Sequence, residues 1–165
     1  IVASTLAFEQ TDRPSIILLT RQGLPVFDRK EYPSAEEFRK GGYIMADYKG
    51  DPDVVIIATG SEVWVALEVR EILKDVNTRV VNLGCWKLFD KQSEDYRKKV
   101  LGPQSALRVS IEAGITVGWE HYTGLNGLNI GIDTFGESAP GNKVADHFEI
   151  IPEKIADRIR NHLKL

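Results

Sequence analysis

Two carboxylates, Glu112 and Asp133, stand at the ends of short segments that read as strands, Leu107–Ile111 and Asn129–Ile132. Carboxylates so placed serve as a general acid and base, or they cap the N–H groups of the loops that hold them. Arg21 follows directly on an apolar run, Ser15–Thr20. Its planar, permanently charged fork can take a phosphate through two hydrogen bonds, and the competing reading is a solvated surface cation. Gly60 and Ser61 lie between the apolar run Val54–Ala58 and a segment of helical spacing. A helix that starts there either holds an anion on its free N–H groups or is simply capped. The glycine spacing is neither G-x-G-x-x-G nor G-x-x-x-x-G-K-[ST], so it does not indicate a nucleotide site.

Other reactive types carry less. His121, His147 and His162 are far apart and lie outside H-x-x-x-H or C-x-x-C settings, which argues for surface or partly packed imidazoles over metal ligands. Cys85 has only Lys87 nearby as a basic neighbour and reads as a small buried thiol. No G-x-S-x-G elbow is present for a serine nucleophile.

The elements that must position these residues are organised around Asp53–Leu73. Val54–Ala58 is apolar without alternation, as in a strand covered on both faces, and Thr59-Gly60-Ser61 turns the chain into a helix through Leu73. Thr59 and Glu62 have the spacing of a capping box. Further strands are expected at Ser15–Thr20, Tyr43–Tyr48, Arg79–Leu83, Leu107–Ile111 and Asn129–Ile132. Helices are expected at residues 1–10, Ser93–Leu101, Asn142–Phe148 and Pro152–Leu165, with one helical turn at Ala35–Lys40. In the last, Ile155, Ile159 and Leu163 fall on one stripe and Pro152 suits the first turn. Gly84-Cys85-Trp86 reads as the start of a loop, and Gly118–Gly127 as a glycine-punctuated loop. This alternation predicts a three-layer α/β/α sandwich around a mostly parallel, Rossmann-like sheet of about five strands with right-handed crossovers. Ligands of such sheets gather beyond the carboxyl ends of the strands, where Thr59–Glu62, Cys85–Trp86, Glu112–Gly114 and Asp133–Ser138 lie. Residues 22–42, with Gly23-Leu24-Pro25, Pro33 and Gly41-Gly42, have the composition of a linker and mark a domain boundary.

With 165 residues, 42% hydrophobic and 27% charged, the chain is large enough for an ordinary core. A net charge of -3 and the lack of a long block of like charge make nucleic acid and anionic membranes poor partners. One cysteine excludes an internal disulfide framework, and no apolar stretch is long enough for a membrane span. A cytoplasmic protein is the expectation. The opening Ile-Val-Ala-Ser lacks both Met and the charged start of a signal peptide, so a piece of something longer is expected.

Several stretches together resemble the carboxyl-terminal third of transketolase, in the same order. They are LTRQGLP at 19–25, KGGY at 40–43, ATGSEV at 58–63, WKLFD at 86–90, EAG at 112–114 with Gly118-Trp119, and GIDTFGESAP at 131–140. The resemblance implies a thiamine diphosphate enzyme, working as a homodimer. Its reaction moves a two-carbon ketol unit between sugar phosphates such as xylulose 5-phosphate and ribose 5-phosphate. In that family an amino-terminal domain holds the diphosphate and its divalent cation, Mg or Ca, through a Gly-Asp-Gly...Asn pattern. A Glu of the middle domain activates the aminopyrimidine. Neither feature occurs in this sequence. The chain is therefore expected to bind no cofactor and to be inactive by itself, and no catalytic residue carries over.

The resemblance makes residues 1–25 the tail of the pyrimidine-binding domain, 26–40 a linker, and 41–165 the carboxyl-terminal domain, with one antiparallel strand in its sheet. It places Arg21 at the position whose arginine binds the sugar phosphate in the substrate channel. Gly23 stands where the family often has Asn, which loosens the loop after Arg21. The strand at Ile16–Leu19 would then belong to a sheet whose other strands are absent from this chain. It should be disordered, docked on an edge, or paired with another copy. Two alternatives to a transketolase part remain: a free-standing module for small anions or assembly, and the same domain of a dihydroxyacetone synthase or another thiamine diphosphate enzyme.

Overall fold

In the computed structural model, which describes residues 1–165, the chain begins with α1 (Val2–Glu9) and a 3-10 helix (Ala35–Lys40). The order continues as β1 (Gly42–Ala46), β2 (Val54–Ala58), α2 (Glu62–Ile72), β3 (Thr78–Leu83), α3 (Trp86–Asp90), α4 (Glu94–Leu101) and β4 (Leu107–Ile111). It closes with α5 (Glu120–Thr123), β5 (Leu128–Ile130), α6 (Gly141–His147) and α7 (Pro152–Leu163). One five-stranded sheet runs β1-β3-β2-β4-β5. β2 pairs in parallel with β3 on one side and β4 on the other, β5 extends the parallel set, and β1 is antiparallel at the edge.

β2 shows why its apolar run does not alternate. Val54, Ile56 and Ala58 belong to a core shared with α2 and α7, through Val63, Ala66, Leu67, Ile155 and Ile159. Val55 and Ile57 belong to a second core with Phe89 of α3, Val100 of α4 and Tyr122 of α5. Side chains alternate between two faces with period two, and both faces are covered by helices. Burying each Val or Ile fully contributes about 1.5–3 kcal/mol, so this strand holds the layers together.

The helices end for identifiable reasons. Ser93 caps α4 by accepting the Tyr96 N–H at 3.2 Å. At the other end of α4 the free carbonyls meet two arginines. Arg79 donates to Lys99 O at 2.7 Å, while Arg108 donates to Leu101 O at 3.0 Å and Gly102 O at 3.1 Å. Cations at a helix carboxyl terminus satisfy carbonyls that have no partner within the helix. In α7, Ile155 and Ile159 are buried and Leu163 packs partly against the same core, as the stripe predicts. At Gly41 the backbone approaches α3 so closely that a Cβ would stand 2.4 Å from Cys85 O and Phe89 N, and its φ of +79° favours glycine.

Three expectations need correction. Ser15–Thr20 forms no strand, because no other strand lies beside it to hydrogen-bond. The segment starting at Gly84-Cys85-Trp86 turns at once into helix α3, with Cys85 O accepting the Phe89 N–H at 3.1 Å. Within Gly118–Gly127 the chain makes the short helix α5, which places Tyr122 in the core.

Candidate functional site

The parallel register brings the strand ends level. Ala58 stands opposite Asn82 and Ile111, and Ile111 stands opposite Ile130. Thr59-Gly60-Ser61, Glu112 and Gly131–Asp133 therefore emerge along one edge of the sheet.

Each group on this edge already has local partners. Asp133 accepts both the Thr116 N–H and the Thr116 hydroxyl at 2.8 Å, and these bonds hold its carboxyl below the usual carboxylate range. Glu112 accepts the indole N–H of Trp119 at 2.8 Å. The loops of the two carboxylates are joined by Ile132 N–H donating to Gly114 O at 2.7 Å. A Cβ on Gly131 would stand 2.5 Å from Gly114 O, so this contact needs glycine. Both carboxylates thus fasten one loop assembly, the arrangement of caps and not of an acid and base facing a common substrate.

The capping box does not form. Ser61, not Thr59, is the N-cap, without a side-chain cap bond, and its hydroxyl donates to Glu62 Oε1 at 2.8 Å. Glu62 is thereby turned away from the backbone N–H that a capping box requires. Gly60 has φ +58° and is exposed.

Arg21 lies apart from this edge, exposed in a bend, with Gly23 beyond it in open space. The next fixed point of the chain is Pro25, whose carbonyl accepts the indole N–H of Trp64 on α2 at 3.2 Å. Phe27 stacks on that indole with centroids 4.4 Å apart and planes at 9°, and Tyr32 meets both rings edge-on. The sequence reading missed this cluster. Its only signal is an aromatic on a helix flanked by aromatics in a nominal linker. Thr116, the partner of Asp133, carries no sequence signal that separates it from other loop residues, and Trp119, the partner of Glu112, stands in a stretch of family resemblance that assigns it no role.

His121 stands 3.6 Å from Asp90, which also accepts the Tyr122 hydroxyl at 3.0 Å. Burial, followed by that hydrogen bond to Asp90, pushes the Tyr122 phenol up. Cys85 is half-buried. No three His, Cys, Asp or Glu side chains converge as a metal-binding group. Two cavities, of about 400 and 480 Å³, lie away from the strand ends. The first lies beside Trp64, Leu67 and Pro152, the second beside Lys49, Lys74 and Asn77. No helix is long and apolar enough to cross a membrane.

A mixed, mostly parallel sheet between helical layers, with Glu112 and Asp133 hydrogen-bonded within their own loops, defines an α/β domain. Residues 41–151 match the model of the transketolase-like TK C-terminal domain, and the chain belongs to that family. It is 47% identical to a transketolase of Aquifex aeolicus over 156 residues, 93% of this chain and 23% of that protein. With a transketolase of Streptococcus pyogenes it shares 40% identity over 144 residues, 86% of this chain and 20% of the relative. A Pichia stipitis transketolase in complex with fructose 6-phosphate superposes with a TM-score of 0.89 at 35% identity, over 99% of this chain and 23% of that one. The chain thus spans about a quarter of the length of the transketolases it matches.

Proposed function

We propose that the chain works as the carboxyl-terminal part of a transketolase, which transfers a two-carbon ketol unit between sugar phosphates with thiamine diphosphate, as a homodimer. The superposition on the Pichia stipitis enzyme carries this reading. It covers 99% of the chain, and so reaches past the family match at 41–151 into the segment with Arg21. No three His, Cys, Asp or Glu side chains of this chain converge on a point where a cation could sit. In this reading the cofactor is held by the rest of the enzyme. A reducing, cytoplasmic setting suits a chain with a single cysteine, and plant relatives carry the same domain in chloroplastic transketolases.

In this reading residues 1–25 close the preceding domain, where Ile16–Leu19 adds a strand to its sheet, and 26–40 link it to the domain at 41–165. Arg21 holds the substrate phosphate. Its exposed guanidinium is free to do so, and a charge-assisted contact of this kind is worth about 1.5–3 kcal/mol. Arg21→Ala in the whole enzyme should therefore weaken phosphorylated ketoses roughly 10- to 150-fold while leaving unphosphorylated ketoses nearly unchanged. An equal loss for both kinds of substrate rejects the phosphate role.

A further inference from the structure

We infer that Trp64 is a positioning residue for Arg21: by clamping the linker at Pro25 and Phe27 to helix α2 it fixes where the guanidinium is presented. This rests on the reading of Arg21 as the phosphate-binding residue.

The segment that carries Arg21 is tethered on both sides. Before it, Glu9 at the end of α1 takes two hydrogen bonds from Arg39, at 2.9 and 3.4 Å. After it, Trp64 donates to Pro25 O and stacks on Phe27. The two tethers are unequal. Arg39 and Glu9 are 40% and 49% exposed, and an ion pair so wet holds little. The aromatic tether packs partly into the main core, through Phe27, Tyr32 and Trp64 together. It is also prepared locally. Asp28 accepts the Lys30 N–H on its side chain at 2.9 Å and the Tyr32 N–H on its carbonyl at 2.9 Å. That turn brings Phe27 and Tyr32 to the same side, facing one indole.

Between Arg21 and the clamp stands Gly23, where an added Cβ would meet no atom within 4 Å. Glycine reaches more backbone conformations than any other residue, so it widens the positions open to the arginine, among which phosphate binding must select. An anchor at Pro25 limits that freedom to the few residues in between. The anchored carbonyl of Pro25 thus stands two residues after this glycine.

The test is steady-state kinetics of the intact enzyme with a phosphorylated and an unphosphorylated ketose, for Trp64→Ala, Trp64→Phe, Arg21→Ala and the double variant Arg21→Ala/Trp64→Ala. Trypsin cleavage after Arg29 and Lys30 is followed in parallel. Trp64→Ala is expected to speed that cleavage and to raise KM for the phosphorylated ketose roughly two- to tenfold, the range of a lost aromatic pair, with kcat unchanged. The unphosphorylated ketose should not respond, Trp64→Phe should restore most of the KM, and Trp64→Ala should add nothing once Arg21 is gone. A released linker with unchanged KM overturns the positioning role, and so does an equal effect on both ketoses or an independent effect in the double variant. If Arg21→Ala itself fails to discriminate between the ketoses, the phosphate reading falls and the positioning role falls with it. A selective Arg21→Ala beside a silent Trp64→Ala rejects the positioning role alone.

Discussion

Ile16–Leu19 and Val54–Ala58 are both unbroken apolar runs, and they have opposite fates. All residues of the second are fully buried, while Ile16, Leu18 and Leu19 are 86–90% exposed. Composition does not separate them. What differs is the company: β2 has a parallel strand on each side and helices on each face, and the earlier run has no strand beside it. The contrast extends to whole regions, since every buried residue of the chain lies at position 41 or later. An apolar run thus specifies a strand only together with a sheet to receive it.

The largest effect that can break this comparison is on stability. Ile56→Ala should cost about 2–5 kcal/mol in urea unfolding of the 165-residue chain, as a fully buried side chain leaves a cavity. Leu18→Ala should stay within about 0.5 kcal/mol. Comparable losses at the two sites would show that the first run is packed after all.

A smaller effect sharpens the picture at the strand ends. Asp133 is held below its ordinary carboxyl range by Thr116, so its contribution to stability is fully present above the unfolded value of about 4. It is lost as the pH falls through the lowered folded value. The urea midpoint of Asp133→Asn should therefore lie below that of the wild type at neutral pH, and the gap should close as the pH drops below about 4. A gap that persists unchanged into acid would mean that the carboxylate charge is not what fastens the loop.

Much of the fold was legible. Leu107–Ile111 is a strand as expected, α7 buries the stripe of Ile155 and Ile159, and the sheet is mixed with one antiparallel strand as the family resemblance implied. The misreadings share a cause. Ser15–Thr20 reads as a strand because periodicity reports burial on two faces and says nothing of whether partners are present. Gly84-Cys85-Trp86 and Gly118–Gly127 read as loops because glycine suggests a turn, yet the first leads into α3 and the second contains α5, short helices whose Phe89 and Tyr122 pack into one core. The capping box fails because spacing cannot foresee that Ser61 engages Glu62. The carboxylates at the strand ends were legible as caps or catalysts, and only their partners, Thr116 and Trp119, distinguish the two. The Trp64 clamp was not legible, since nothing local brings Trp64 to the turn that carries Phe27 and Tyr32.

The most direct test of the account is amide hydrogen exchange at residues 16–20, measured in the 165-residue chain and in the whole enzyme. The account predicts rapid exchange in the chain, where the run has no partner strand, and slow exchange in the whole enzyme, where a neighbouring sheet pairs with it. Equally rapid exchange in both would contradict it, because the run would then be no strand in either setting.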